Sequence, residues 1–220
     1  YGMLFLILRT ILAREATKNS LTYTSNLQNH YQRKFNQIKA DQTCGESLIY
    51  TIEGTILIIE GTGDMINYSL FSKPPWFDNH NYITSIELPE GITSLGSSAF
   101  QFFTSLTNFT IPPKVTAITE YLFYECSSLS SIEIHDDVTS IDSYAFSGCS
   151  SLTNFTIPPK VTAIPKYLFY ECSSLSSIKI HDDVTSIDSF AFRDCTSLTN
   201  FTIPPKVTAI SNSLFYGCSR

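Results

Sequence analysis

The fold this sequence predicts is a repeat solenoid, with a parallel β-sheet along one face and short strands, turns and 3-10 pieces along the other. The first observation is a period of 23 residues. FTSLTNFTIPPKVTAITEYLFYE at 103–125 returns as CSSLTNFTIPPKVTAIPKYLFYE at 149–171 and as CTSLTNFTIPPKVTAISNSLFYG at 195–217. Between the copies lie CSSLSSIEIHDDVTSIDSYAFSG at 126–148 and CSSLSSIKIHDDVTSIDSFAFRD at 172–194, on the same apolar frame, so two alternating versions make a 46-residue block. The second observation is that frame itself. In the copy at 126–148 the apolar positions are Leu129, Ile132, Ile134, Val138, Ile141, Ala145 and Phe146. Their spacing is a strand alternation at Ile132 and Ile134 followed by a second extended piece, not a helical stripe. The third observation is that no ten-residue helical pattern separates one strand from the next, which leaves only short connections for the outer wall. One unit cannot bury its own apolar edge, and stacking buries it.

In chain order, residues 1–43 form a basic arm, with six Lys/Arg against two Asp/Glu, while residues 44–220 carry eight against eighteen. The arm opens with MLFLILRTILA at 3–13. That run has the length of a signal-peptide core but is interrupted by Arg9, and an amphipathic helix is the alternative reading. No stretch of 18 apolar residues occurs, so no membrane-spanning helix is expected. Residues 44–79 precede the array, and Gly61-Thr62-Gly63 within them reads as a turn rather than a phosphate loop. A looser unit, HNYITSIELPEGITSLGSSAFQF at 80–102, opens the array over 80–220, giving six full units and the start of a seventh at Cys218.

The frame C-x-x-L-x-x-I-x-I-P-x-x-V-T-x-I-x-x-x-A-F-x-x resembles the 23-residue leucine-rich repeat of BspA-like surface proteins. CGESLIYTIEGTILIIEGTGDMINYSLFSKPPW at 44–76 is similar to the cap that precedes such arrays, so the resemblance implies a leucine-rich-repeat fold behind a β-hairpin cap. It also implies adhesion rather than catalysis, at a cell surface or in a secreted protein, with host matrix proteins, host cells or other microbes as partners. HDD or PPK after the first strand departs from the family frame.

The chemistry-bearing residues fall into rows. Cys126, Cys149, Cys172, Cys195 and Cys218 hold one position in successive coils, about 5 Å apart with parallel side chains, a poor geometry for disulfides or for four ligands converging on zinc. They are expected to be buried, reduced and inert. His135 and His181, each followed by two aspartates, fall at another corner, so they cannot share a metal with the thiols. Lys114, Asp137, Lys160, Asp183 and Lys206 alternate in sign along that edge. Stacking register by charge is the preferred reading, with Lys160 flanked by Asp137 and Asp183, and divalent-ion binding the lesser one. No nucleophile elbow, P-loop or zinc-protease helix occurs, so neither an enzyme nor a cofactor is expected. An acidic array argues against nucleic acid as a partner.

What remains is surface. The outward residues of the first strand, Asn108 and Thr110, Ser131 and Glu133, Asn154 and Thr156, Ser177 and Lys179, Asn200 and Thr202, form a polar ladder of the sort curved solenoids use against extended partners. Tyr121, Tyr124, Tyr144, Tyr167, Tyr170 and Tyr216 are a second candidate surface, against a purely packing role. Asn67, Asn108, Asn154 and Asn200 begin N-x-S/T sequons, and glycans on the last three would block the ladder. The expectation is a non-catalytic protein-binding or adhesion module at the cell surface or secreted, with an intracellular, cytoplasmic interaction scaffold as the alternative.

Overall fold

A computed structural model describes residues 42–218. The chain divides into Tyr1–Thr43 and Cys44–Arg220, and every element below belongs to the second unit. The basic arm and the signal-or-helix reading at 3–13 lie outside the described residues.

The unit starts as a hairpin. β1 (Leu48–Glu53) pairs antiparallel with β2 (Ile56–Gly61) through a turn at Gly54, whose φ of 61° a side chain resists. At its exit Gly61 has φ 116°, and a Cβ there would come within 2.0 Å of Ser47 O, so glycine is required. β2 then accepts the first coil: β4 (Ser85–Glu87) pairs with it in parallel, and β3 (Gly63–Asp64) pairs in parallel with β5 (Ile92–Ser94). A 3-10 turn, Phe77–Asn79, lies between, and Trp76 is fully buried with Nε1 donating to Ala99 O at 2.8 Å.

From there each coil adds two short strands. The inner face carries β6 (Asn108–Thr110), β8 (Ser131–Glu133), β10 (Asn154–Thr156) and β12 (Ser177–Lys179). The second row carries β7 (Ala117–Ile118), β9 (Ser140–Ile141), β11 (Ala163–Ile164) and β13 (Ser186–Ile187). The solenoid stands as expected, with one difference: the inner sheet is not continuous. β6 pairs with β8 and β10 with β12, β7 with β9 and β11 with β13, but β8 does not pair with β10 nor β9 with β11.

A third wall, at the Ala-Phe corner, does run from coil to coil. Phe100 N–H donates to Leu122 O, Phe123 to Ala145 O, Phe146 to Leu168 O, Phe169 to Ala191 O and Phe192 to Leu214 O, all between 2.9 and 3.2 Å. Phe123, Phe146, Phe169 and Phe192 stack beneath this ladder with centroids 5.5–6.0 Å apart. Leu129, Val138, Ile141, Ala145 and their equivalents fill the rest of the core. The corner turns with positive φ at residues that are not glycine, among them Tyr121, Glu125, Tyr144, Tyr167 and Glu171. Each left-handed residue costs roughly 1–2 kcal/mol, held here by the ladder bonds and by burial of the neighbouring Phe.

Candidate functional site

The ten ladder residues are all exposed, whereas Phe109 and Phe155 between them are buried and Ile132 and Ile178 are half-buried. The alternation of the pleat therefore sets polar groups outward wherever the core residue points in. Register brings Asn108 opposite Ser131, Thr110 opposite Glu133, Asn154 opposite Ser177 and Thr156 opposite Lys179, and Ser177 forms a single bridge to Asn200. The breaks between paired strands divide the ladder into blocks of two coils. Thr110 Oγ1 donates to Glu133 Oε2 at 3.1 Å, and Asn154 Nδ2 donates to Thr153 Oγ1 at 3.0 Å. The sequence reading missed a third exposed column, Thr107, Ser130, Thr153 and Ser176, in which Ser130 Oγ and Ser176 Oγ donate to the carbonyls of Thr107 and Thr153. The hydroxyl present at that place in every coil was its signal.

The cysteine row is buried. Cys126, Cys149, Cys172 and Cys195 are fully covered free thiols, and Cys218 is partly covered. Each Sγ lies 3.0–3.3 Å from the carbonyl of a corner phenylalanine, Phe100, Phe123, Phe146, Phe169 and Phe192 in turn, and donates to it. Burial raises every one of these thiol pKa values above the ordinary cysteine range, so none is a thiolate near neutrality. Cys44, apart from the row, is pushed up to about 12 by the same cause.

The histidine corners are occupied by backbone. His135 Nε2 lies 3.0 Å from Pro112 O and 3.1 Å from Val115 O, and Asp137 N–H donates to its Nδ1 at 3.3 Å. Two carbonyls at one nitrogen require a proton there, so the imidazole is the neutral Nε2–H tautomer. His181 repeats the arrangement with Pro158 O, Val161 O and Asp183 N–H. Both imidazole nitrogens are used, which leaves neither for a metal, and among the described residues no cluster of three His, Cys, Asp or Glu could hold one.

The edge charges pair in one direction, a correction to the two-sided arrangement expected of Lys160. Lys160 Nζ is 2.7 Å from Asp137 and Lys206 Nζ 2.5 Å from Asp183, but Lys160 has no ion pair with Asp183. Hydrogen bonding and charge from the lysine hold Asp137 and Asp183 below the ordinary aspartate value.

The six tyrosines are not one set. Tyr121, Tyr144, Tyr167 and Phe190 stack face to face with centroids 4.7–4.8 Å apart and planes within 16°. Ring faces used against one another are closed to a ligand. Tyr124, Tyr170 and Tyr216 stand outside this column, Tyr124 edge-on to Phe102 and Arg193 over the rings of Tyr170 and Tyr216.

Three comparisons bear on this geometry. The model of the BspA type leucine rich repeat region matches residues 73–172 and 162–220, with six copies. No curated protein matches the chain. Among solved structures, a leucine rich cell surface protein from Faecalibacterium prausnitzii is 31% identical, covering 80% of this chain and 52% of that one, with a TM-score of 0.61. A leucine-rich repeat protein from Eubacterium ventriosum is 26% identical over 70% of this chain and 41% of that one, at a TM-score of 0.59. A leucine rich repeat protein from T. pallidum is 25% identical over 80% and 78%, at 0.60. The chain thus spans about half or less of the first two neighbours. No helix among the described residues is long and apolar enough to cross a membrane.

Proposed function

Since the chain belongs to the BspA-type leucine-rich repeat family, whose fold serves protein interaction and surface roles, we propose that it is a non-catalytic adhesion module of surface-antigen type, binding a host matrix or cell-surface protein through the inner face of its array. The carrying observation is the ladder Asn108, Thr110, Ser131, Glu133, Asn154, Thr156, Ser177, Lys179, Asn200 and Thr202, exposed throughout and continued sideways by the hydroxyl column. Side chains at fixed spacing on a rigid support can meet a partner at several points, and weak contacts repeated in this way add to useful avidity. The competing tyrosine surface is poorer, because Tyr144 and Tyr167 are stacked on both faces and present only edges, and Tyr121 is stacked on one. The module acts at the cell surface or after secretion; the neighbour from Faecalibacterium prausnitzii is itself described as a cell surface protein.

The test is paired substitution, read as binding to immobilised matrix proteins and to whole host cells. Replacing Asn154, Thr156, Ser177 and Lys179 with bulky or oppositely charged residues abolishes binding and leaves the fold intact. Changing Tyr144, Tyr167 and Tyr170 alters it little. The opposite pattern moves the site to the corner, and binding by neither form of the protein, wild type included, favours an intracellular interaction scaffold.

A further inference from the structure

The contacts between successive coils alternate between two kinds. Where an HDD coil follows a PPK coil, the strands pair on both rows, Thr139 N–H and Asp142 N–H donate to Thr116 O and Ile118 O, and His135 bridges to Pro112 O and Val115 O. The next such contact repeats this with Thr185, Asp188 and His181. Where a PPK coil follows an HDD coil the pairing is lost: between 126–148 and 149–171 both strand pairings are missing, and between 172–194 and 195–217 a single bridge, Ser177 to Asn200, stands in their place. Across the first of these seams remain two corner-ladder bonds, from Phe146 and Gly148, the bonds from Ser151 N–H and Ser150 Oγ to Ser127 O, the thiol bonds from Cys149 to Phe123 O and from Cys172 to Phe146 O, the exposed Lys160–Asp137 pair and the stacks of Tyr144 on Tyr167 and Phe146 on Phe169.

The cause is visible in the core. The PPK coils place phenylalanine where the HDD coils place Ile132 and Ile178, and each ring packs between the corner phenylalanine of the preceding coil and that of its own: Phe109 between Phe100 and Phe123, Phe155 between Phe146 at 5.1 Å and Phe169 at 4.8 Å, and Phe201 between Phe192 at 5.0 Å and Phe215 at 4.8 Å. A ring inserted between the corner phenylalanines of two coils is a wedge, and it lies where the inner strands part. Pro165 adds to it, since proline has no N–H at the place from which Asp142 and Asp188 donate.

We infer that the array is a stack of two-coil modules, 103–148 and 149–194, joined at aromatic-wedged seams, and that under tension it lengthens by opening at the seams, one 46-residue module at a time. In a linear stack each coil contacts mainly its neighbours, so unequal contacts make the better-bonded pair the cooperative unit. This does not depend on what the inner face binds.

Pulling the full chain by its two ends in a single-molecule instrument tests it. The expected record has steps of about 160 Å, the extended length of 46 residues. Steps of about 80 Å, one coil each, or a single rupture of the whole array overturn the proposal. Phe155→Ile, which copies the residue of the HDD coil, removes the wedge, so the two modules then leave together in one step of about 320 Å; a folded variant with unchanged steps overturns the wedge. Amide exchange on the wild-type protein decides the matter should that variant fail to fold. Ser130 and Thr139 exchange at least tenfold more slowly than Thr153 and Thr162, their counterparts across the seam, and equal protection overturns the proposal.

Discussion

His135→Ala probes the bond set that ties an HDD coil to the PPK coil before it. The imidazole is the only donor to Val115 O among the described residues, whereas Pro112 O keeps its bond from Val115 N–H at 2.9 Å. The substitution therefore strands one carbonyl outright, weakens another and removes the acceptor of Asp137 N–H. The corner is half open, so water reaches the freed groups and the full cost of burial without a partner is not incurred. At roughly 0.5–1.5 kcal/mol net for each bond, the loss is about 1–2 kcal/mol. For a folded unit of this size that lowers Tm by about 3–6 °C. Thermal unfolding followed by circular dichroism measures it, with Asp136→Ala, which removes an exposed side chain, as a comparison expected to stay near wild type. His135→Ala combined with His181→Ala should add, because the sites lie two coils, about 10 Å, apart and share no partner. Nitrogen NMR should show the Nε2–H tautomer for both. An unchanged Tm, or a proton on Nδ1 at neutral pH, would refute the bridge.

Two further outcomes follow from the rows. Without denaturant, the thiols of Cys126, Cys149, Cys172 and Cys195 resist a small alkylating reagent and then react fully once the chain is unfolded; rapid labelling of the native protein would show that the row is not in the core. Lys160→Glu sets a negative charge against Asp137, so it lowers Tm at low salt and less at high salt; a loss independent of salt removes the ion pair as its cause. The pH dependence has a definite sign. Because Asp137 and Asp183 titrate below the ordinary aspartate value when folded, the pairs stabilise above about pH 4 and lose that contribution as pH falls further, so the difference between wild type and Lys160→Glu shrinks in acid.

Much of the architecture could be read directly, because a 23-residue period reports which residues share a column whatever the details of the coil. Asn154 and Thr156 were recognisable as outward from strand alternation, and Cys149 as inward from its place in a row of free cysteines. What stayed hidden depends on direction along the stack. The period places Lys160 between Asp137 and Asp183 without saying which it reaches, and places Phe155 in the core without saying between which rings it packs. Hydrophobic pattern also gave no sign of the left-handed backbone at Tyr144 and Glu171, since that conformation is usually marked by glycine; Gly148 and Gly217 were the only such marks, at the place where Glu125, Glu171 and Asp194 stand in other coils. The role of His135 escaped because its partners are carbonyls of another coil, which no residue type announces.

The alternation of corner residues sets a rule for how such a gene can grow. Duplicating one 23-residue coil would lay HDD on HDD or PPK on PPK. In the first case aspartates of adjacent coils face each other; in the second the lysines do, and no imidazole is available. A 46-residue duplication leaves every junction with the partner it had, and the near-identity of 103–148 and 149–194 is what such an event leaves behind. Excising 126–148 alone should accordingly impair folding far more than excising 126–171, although the second deletion is twice as long. The corner alternation thus favours growth by even numbers of coils.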